Sequence, residues 1–181
     1  MERIYECRPS DEDTRPTIDF DDERHCAIDW LTIAEVIDGA LPLDSFPSVS
    51  LHVARPDATQ WDCYMDGGVR GIFSRRFVNA VGSAAFNGVE LLPANLNDEI
   101  YFFIRCVKPI DCLDRSKSIY ESFHCDPQSI KAIRHYAFRS EAVPEDSCFV
   151  LPELPTLLVT DSVFQRIRAA GLKGISIKCI S

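Results

Sequence analysis

The strongest constraint on the fold is a pattern that occurs twice: a short apolar strand leads into a helix, the helix ends at a glycine, and another strand follows. The first copy predicts a helix over Arg75–Phe86 that ends at Gly88. The second predicts a helix over Ser162–Ala170 that ends at Gly171. Glycine lacks a Cβ atom and adopts the left-handed conformation that commonly follows a helix. Two such units require a sheet on which both helices can pack.

Polar residues at the helix starts support both assignments. Ser74 can cap the first helix, and Phe73 before it can contact Val78 as a hydrophobic staple. Asp161 can cap the second helix, where its charge lies favourably at the positive end of the helix dipole. Each helix is therefore expected to begin directly after a strand.

The other apolar segments are mainly typical of strands. We predict strands over Ile4–Arg8, Val49–Val53, Trp61–Tyr64, Glu99–Val107, Ser147–Leu151, Thr156–Thr160 and Gly174–Ile180. A short helix is predicted over Ala27–Ala40, and Ile130–Phe138 is either a strand or a helical turn. Tyr101 to Ile104 are too apolar for a surface helix, so we expect them in a central, buried strand. Strands outnumber helices and occur in runs, which predicts an α+β fold with a mixed, largely antiparallel sheet and two or three short helices packed on it.

Length and composition favour one ordered domain. A chain of 181 residues with 46% hydrophobic residues can form one sizeable core. We expect a single domain over residues 1–181, with an acidic N-terminal part at 1–69 and a core at 70–181. The N-terminus has no basic region followed by an apolar one, and no run approaches the roughly 18 apolar residues of a membrane span. The sequence predicts a soluble, cytoplasmic protein that does not bind membranes.

Negative charge is concentrated in the N-terminal third. Met1–Asp66 contains 16 acidic and 5 basic residues, a net charge of −11, whereas the remainder carries a net charge of +2. The densest acidic side chains are our candidates for a protein interface: Asp11, Glu12, Asp13, Asp19, Asp21, Asp22 and Glu23. Their field favours a basic partner and disfavours nucleic acid. The alternative is a solvated acidic loop that only improves solubility.

A small basic patch lies elsewhere in the sequence. Arg75 and Arg76 stand at a helix start, where the dipole disfavours cations. We expect them to pair with the acidic N-terminal segment of the same chain.

Eight cysteines are spread over the whole chain, mostly within apolar runs: Cys7, Cys26, Cys63, Cys106, Cys112, Cys125, Cys148 and Cys179. Their spacing matches neither a disulfide scaffold nor the close ligand pairs of a zinc site. We predict reduced, buried thiols and no metal.

Catalytic patterns are weak. His25-Cys26 and His124-Cys125 are neighbours in sequence, but a nucleophile and its base must meet through space. Asp111 and Asp114 fit a turn after the central strand better than a metal site, since no calcium-binding loop surrounds them. We therefore predict no catalytic residue and no cofactor.

Three segments carry a resemblance to a known family: Phe73-Ser74, Gly88–Pro93 and Gly171–Gly174. With the intervening strands, the region from Gly71 to Lys178 resembles immunity protein family 11 of bacterial polymorphic toxin systems. The resemblance implies a cytoplasmic, non-enzymatic antidote that neutralises a cognate toxin by stoichiometric protein–protein binding, with basic nucleases among the common toxins. It implies no catalytic residue.

Two alternatives remain open. One is a small hydrolase-like enzyme with a Cys/His or Asp-rich pocket, and the other is a general protein-interaction module. The oligomeric state is not predicted.

Overall fold

The computed structural model describes residues 3–10, 18–20, 26–53, 61–65, 71–154 and 156–181. Within them the chain forms twelve strands and three α-helices. The strands are β1 Ile4–Pro9, β2 Ile18–Phe20, β3 Ser50–Val53, β4 Cys63–Met65, β5 Gly71–Ser74, β6 Val89–Leu96, β7 Glu99–Cys106, β8 Ile119–Ser122, β9 Ile130–His135, β10 Cys148–Val150, β11 Leu157–Thr160 and β12 Ile175–Cys179. The helices are α1 Cys26–Ile37, α2 Arg75–Val81 and α3 Asp161–Ala169.

The described strands form two larger sheets and one separate hairpin. The six-stranded sheet has the order β2-β3-β6-β7-β5-β4, in which β3 and β6 are parallel and the other neighbours antiparallel. The four-stranded sheet has the order β10-β11-β1-β12 and is antiparallel. Strands β8 and β9 pair only with each other in these sheets. The predicted α+β class with mixed, largely antiparallel pairing is confirmed.

The predicted central strand is β7, which lies between β6 and β5. Tyr101 and Phe103 are fully buried, whereas Phe102 and Ile104 on the opposite face are half-buried. This alternation is the normal consequence of the two-residue period of a strand. The apolar run therefore contacts two different hydrophobic clusters, one on each face of the sheet.

The start of α2 was predicted correctly, but its end was not. Ser74 Oγ accepts a 3.1 Å hydrogen bond from the backbone amide of Phe77, as expected of an N-cap. The helix ends at Val81, because Gly82 adopts a φ of +85°. Gly88 instead allows a close backbone approach: a Cβ there would lie 2.0 Å from the carbonyl oxygen of Lys108.

The predicted cap of α3 was also wrong. Asp161 is the first helical residue and Thr160 occupies the cap position, without a capping side-chain bond. The Asp161 carboxylate instead accepts a 2.8 Å hydrogen bond from the hydroxyl of Tyr5. The helix packs on the sheet through Val163 and Ile167, which are buried.

The acidic N-terminal segment contains a strand, which the sequence analysis did not predict. Ile18–Phe20 forms β2, which is antiparallel to β3. Ile18 lies opposite Val53, and Phe20 lies opposite Leu51. The physical reason is the alternation of Ile18 and Phe20 around Asp19, a two-residue period that suits a strand. The short helix predicted after it is confirmed as α1.

Strand β1 joins the N-terminal part to the C-terminal part. It lies between β11 and β12, so its two neighbours come from the last 25 residues of the chain. Tyr5 and Cys7 of β1 pack in one cluster with residues from α2, α3, β10 and β11. The core between the sheets therefore depends on both ends of the sequence.

Candidate interaction surface

The hairpin β8–β9 presents exposed apolar side chains. Ile119 is 60% exposed, Phe123 is 44% exposed and Tyr120 is 37% exposed. An isolated two-stranded hairpin is at best marginally stable in water. Here Ile130 is buried in a hydrophobic cluster with Leu113 and Phe149, and Ile133 packs against that cluster. Strand β9 therefore attaches the hairpin to the rest of the protein. The result is a group of exposed apolar side chains on a supported element.

The carboxylates near this hairpin are already engaged in turns and ion pairs. Asp114 accepts hydrogen bonds from Ser116 Oγ at 2.6 Å and pairs with Lys117 Nζ at 2.9 Å, and these contacts lower its pKa to about 2. Asp126 accepts a bond from the Gln128 amide, and the Ser129 hydroxyl lowers its pKa. The predicted turn role of Asp114 is confirmed.

One of the two His-Cys neighbours can be placed in the structure. His124 and Cys125 lie exposed in the turn between β8 and β9, and His25 lies outside the described residues. The nearby Cys112 is buried, and burial raises the pKa of its thiol to about 12. That thiol is therefore protonated at neutral pH and unsuited to nucleophilic attack.

The described cysteines are free, as predicted: Cys7, Cys63, Cys106, Cys112, Cys125, Cys148 and Cys179. The expectation that all are buried was wrong for Cys125 and Cys179, which are exposed, and for Cys106, which is half-buried. The side chain of Cys26 lies outside the part of the chain that the structure describes. Cys125 lies in a polar turn, and Cys179 lies at the end of an edge strand, where solvent reaches its side chain.

The basic patch makes a contact that the sequence did not predict. Arg76 pairs at 3.1 Å with Asp62, which lies outside the acidic segment proposed for it. The Asp62 carboxylate also accepts bonds from Ser74 Oγ at 2.7 Å and from the backbone amide of Lys173 at 2.9 Å. A cavity of about 390 Å³ lies beside this cluster and Arg75.

Most of the predicted interface residues cannot be placed. Asp19 lies in β2, opposite His52 of β3. The other six lie outside the described residues: Asp11, Glu12, Asp13, Asp21, Asp22 and Glu23. An acidic interface therefore stays a prediction.

The described residues contain neither a metal-binding cluster nor a helix that could span a membrane. No group of three or more His, Cys, Asp or Glu side chains in the described ranges is arranged to hold a metal ion. None of the helices found there is both long enough and apolar enough to span a bilayer.

Comparison with known proteins gives one family. The family model described as "Immunity protein family (Imm11)" matches residues 92–181. No curated protein matches the chain significantly. The matched region begins within β6 and includes the β8–β9 hairpin and the second strand-helix-glycine unit, but the first unit precedes it.

Proposed function

We propose, from the match of residues 92–181 to the model of the immunity protein family Imm11, that the protein neutralises a cognate toxin by stoichiometric protein–protein binding. The toxin is one made by the same cell, and the complex forms in the cytoplasm. The family match is the single observation that carries the proposal. In this account the chain performs no catalytic step, uses no cofactor and binds neither nucleic acid nor membrane.

The exposed hairpin is our leading contact surface. Its apolar side chains Ile119, Tyr120 and Phe123 lie within the region matched by the family. Aromatic and large apolar residues are typical of the energetically dominant centres of protein interfaces. Burying them against a partner yields about 25 cal/mol per Å² of apolar area removed from water. The buried Ile130 supports the hairpin before the partner arrives, which lowers the entropy cost of binding.

The acidic N-terminal residues have a different role in this proposal. The net charge of −11 over Met1–Asp66 suits a basic toxin. Charges of this kind act over distance and accelerate encounter, whereas close apolar contacts slow dissociation. We therefore assign steering to the segment from Asp11 to Glu23 and contact to the hairpin.

The binding unit in this proposal is the whole chain, acting as a single domain over residues 1–181. The support is the position of β1 between β11 and β12. A strand from the first ten residues thereby completes the sheet of the family-matched part.

The experiment uses the toxin domain encoded beside this gene. Both proteins are produced together in a bacterial host, and survival and co-purification are measured. The test variant replaces Ile119, Tyr120 and Phe123 by Ser. The matched control replaces three equally exposed apolar residues outside the hairpin by Ser, namely Leu43, Ile100 and Val107.

We expect the wild-type chain and the control to protect the host and to co-purify with the toxin. The hairpin variant should remain folded but should neither protect the host nor co-purify with the toxin. Protection by the hairpin variant at the wild-type level would remove the hairpin from the interface. A wild-type chain that gives neither protection nor a complex would contradict the proposed function itself.

A further inference from the structure

Strand β5 ends before its neighbour β7 does, and this difference leaves a gap in the six-stranded sheet. Ser74, the last residue of β5, lies opposite Tyr101 of β7, and its amide donates to the carbonyl of Asp62 on the other side. The chain then leaves the sheet, because α2 begins at Arg75. Neighbouring strands lie about 4.8 Å apart. The space between β7 and the segment before β4 is therefore about two strand spacings wide, which is the width that one further strand occupies.

The cavity of about 390 Å³ beside Asp62 lies at this gap. Its lining comes from Asp62, from Ser74–Arg76 at the start of α2 and from Asp98–Tyr101 at the start of β7. The volume falls within the range of about 300–1,000 Å³ that is usual for ligand pockets. The cavity is thus of ligand size, and it lies where the sheet lacks a strand.

The backbone amide and carbonyl of Ile100 face this cavity. Ile100 lies opposite Asn95 of β6. The amide of Asn95 donates to the carbonyl of Val49 on the far side of β6, so Asn95 and Ile100 form a non-hydrogen-bonded pair. In such a pair the N–H and C=O groups of each residue point away from the other strand. Those of Ile100 therefore point to the side of β5, beyond Ser74.

No described residue hydrogen-bonds to these two groups of Ile100. The register of β5 and β7 would place Arg75 opposite Ile100, but Arg75 is already helical. Ile100 is 45% exposed, so water reaches it. Unpaired backbone groups at the edge of a strand are a template for pairing with another chain.

The charged side chains of the cavity are divided between its two sides. Arg76 is paired with Asp62 at 3.1 Å, whereas Arg75 has no ion-pair partner among the described residues. Asp98 and Glu99 lie on the opposite side, at the start of β7. A peptide backbone is neutral, so its binding does not depend on a net charge in the cavity. Two sides of opposite sign suit a segment with an acidic group near Arg75 and a basic group near Asp98.

We propose that an extended segment of the toxin enters this gap and adds a short strand beside β7, with one backbone hydrogen bond to the Ile100 carbonyl and one from the Ile100 amide. The inference rests on the proposed function and adds a main-chain contact to the side-chain contact assigned to the β8–β9 hairpin. Strand addition obtains its affinity from main-chain hydrogen bonds. Both groups belong to the backbone, so replacing the Ile100 side chain by Ser leaves them in place.

The first test follows single backbone amides of the full chain by hydrogen exchange and NMR, with and without the toxin domain encoded beside this gene. In the chain alone we expect the Ile100 amide to exchange rapidly and the Tyr101 amide, which faces β6, to exchange slowly. In the complex we expect exchange of the Ile100 amide to slow by about tenfold or more. A slowly exchanging Ile100 amide in the chain alone, or unchanged rapid exchange in the complex, overturns the proposal.

The second test removes the amide. Ile100→Pro deletes an N–H group that bonds to no described residue, and proline is accepted at strand edges where the N–H faces solvent. We expect a folded variant whose dissociation constant for the toxin rises about tenfold, the factor that corresponds to one lost backbone hydrogen bond.

The matched control for this substitution is Leu43→Pro. Leu43 is 46% exposed and is the first residue of a short 3₁₀-helix at Leu43–Ser45, a position that also accepts proline. We expect this variant to bind the toxin as the wild type does. Wild-type affinity in folded Ile100→Pro overturns the proposal. If Ile100→Pro lacks a cooperative thermal transition, the exchange measurement on the wild-type chain decides.

Failure of this inference can be told apart from failure of the proposed function. If the wild-type chain forms no complex with the toxin, the proposed function fails and this inference fails with it. If the complex forms but the Ile100 amide exchanges as rapidly as in the chain alone, only this inference fails.

Discussion

The carboxylate of Asp62 accepts a 2.7 Å hydrogen bond from the hydroxyl of Ser74, the residue that also caps helix α2. Asp62 is 3% exposed, and its other oxygen is bonded by Arg76 and by the backbone amide of Lys173. This one side chain therefore connects the N-terminal part, the start of α2 and the segment before β12. It is the most extensively bonded buried carboxylate in the described residues.

We expect Asp62→Ala to reduce the free energy of unfolding by about 1–3 kcal/mol, because the Ser74 hydroxyl and the part-buried amide of Lys173 lose their acceptor, whereas Arg76 is 64% exposed and regains water. Ser74→Ala alone should cost about 1 kcal/mol through the lost cap and roughly 1–3 kcal/mol more through the Asp62 oxygen that loses its donor. Chemical denaturation of both single variants and the double variant measures the coupling. Strictly additive losses would show that the two residues act independently. Glu121→Ala is the control, because its ion pair with Arg134 is solvent-exposed and should contribute little.

Much of the fold was accessible from local sequence patterns. The apolar run of β7, the strand β12 and the serine cap of α2 each depend on neighbouring residues, and each was predicted. The end of α2 was not predicted. Gly82 and Gly88 both have positive φ, so the sequence offers two glycines at which the helix could end. The fold shows that Gly82 ends the helix, whereas Gly88 allows the backbone of Lys108 to approach closely.

The candidate site was harder to predict for the same reason. Asp62 and Lys173 are 111 residues apart in sequence, and Arg115 and Glu153 are 38 apart, so no local pattern connects them. The strand β8 was missed because only Ile119 and Tyr120 favour a strand there, and polar residues surround them. That apolar pair, followed by Ile130 on a second strand, was the available signal for a hairpin.

Residues 92–181 should not fold when produced alone. This fragment lacks β1, so β11 and β12 lose the strand between them, and β7 loses its neighbour β5. The exposed strand edges and unfilled core should give a disordered or aggregated product. Circular dichroism on heating and the dispersion of amide NMR signals provide the comparison with the full chain. A fragment with a cooperative thermal transition and dispersed signals would show that the family-matched part is an independent domain.

Stability should fall in alkaline solution because of buried thiols. Burial raises the pKa of Cys7 and of Cys112 to about 12, and it raises that of Cys148 as well. Unfolded thiols ionise near pH 8.5, so the stability contributed by the protonated native thiols is complete below that pH. It is lost as the pH rises towards 12, by up to about 1.4 kcal/mol per pH unit and thiol.

Denaturation at several pH values between 8 and 12 measures this slope. Cys7→Ala should make the decline shallower, whereas Cys125→Ala should leave it unchanged because Cys125 is exposed. Equal slopes in all three proteins would mean that Cys7 ionises in the native state as readily as in the unfolded chain.

The acidic segment should affect the rate of association more than the rate of dissociation. Replacing Asp19, Asp21, Asp22 and Glu23 by their amides removes four negative charges, so association with a basic toxin should slow and become less sensitive to salt. Steering charges act over about a Debye length, on the order of 8 Å at physiological salt. Stopped-flow kinetics at two salt concentrations measure both effects. If the association rate is unchanged at both, the segment contributes solubility and not recognition.

The most direct measurement of the central claim is a titration of toxin activity. A fixed amount of the toxin domain encoded beside this gene receives increasing amounts of the purified full chain, and the residual activity is recorded at equilibrium. Stoichiometric binding predicts a linear decrease that reaches zero at one defined molar ratio, with a complex of the same ratio recovered by size-exclusion chromatography. Full toxin activity in the presence of excess chain would contradict the account. Progressive loss of toxin activity with far less than one equivalent of the chain would contradict it too, because that result indicates catalytic inactivation.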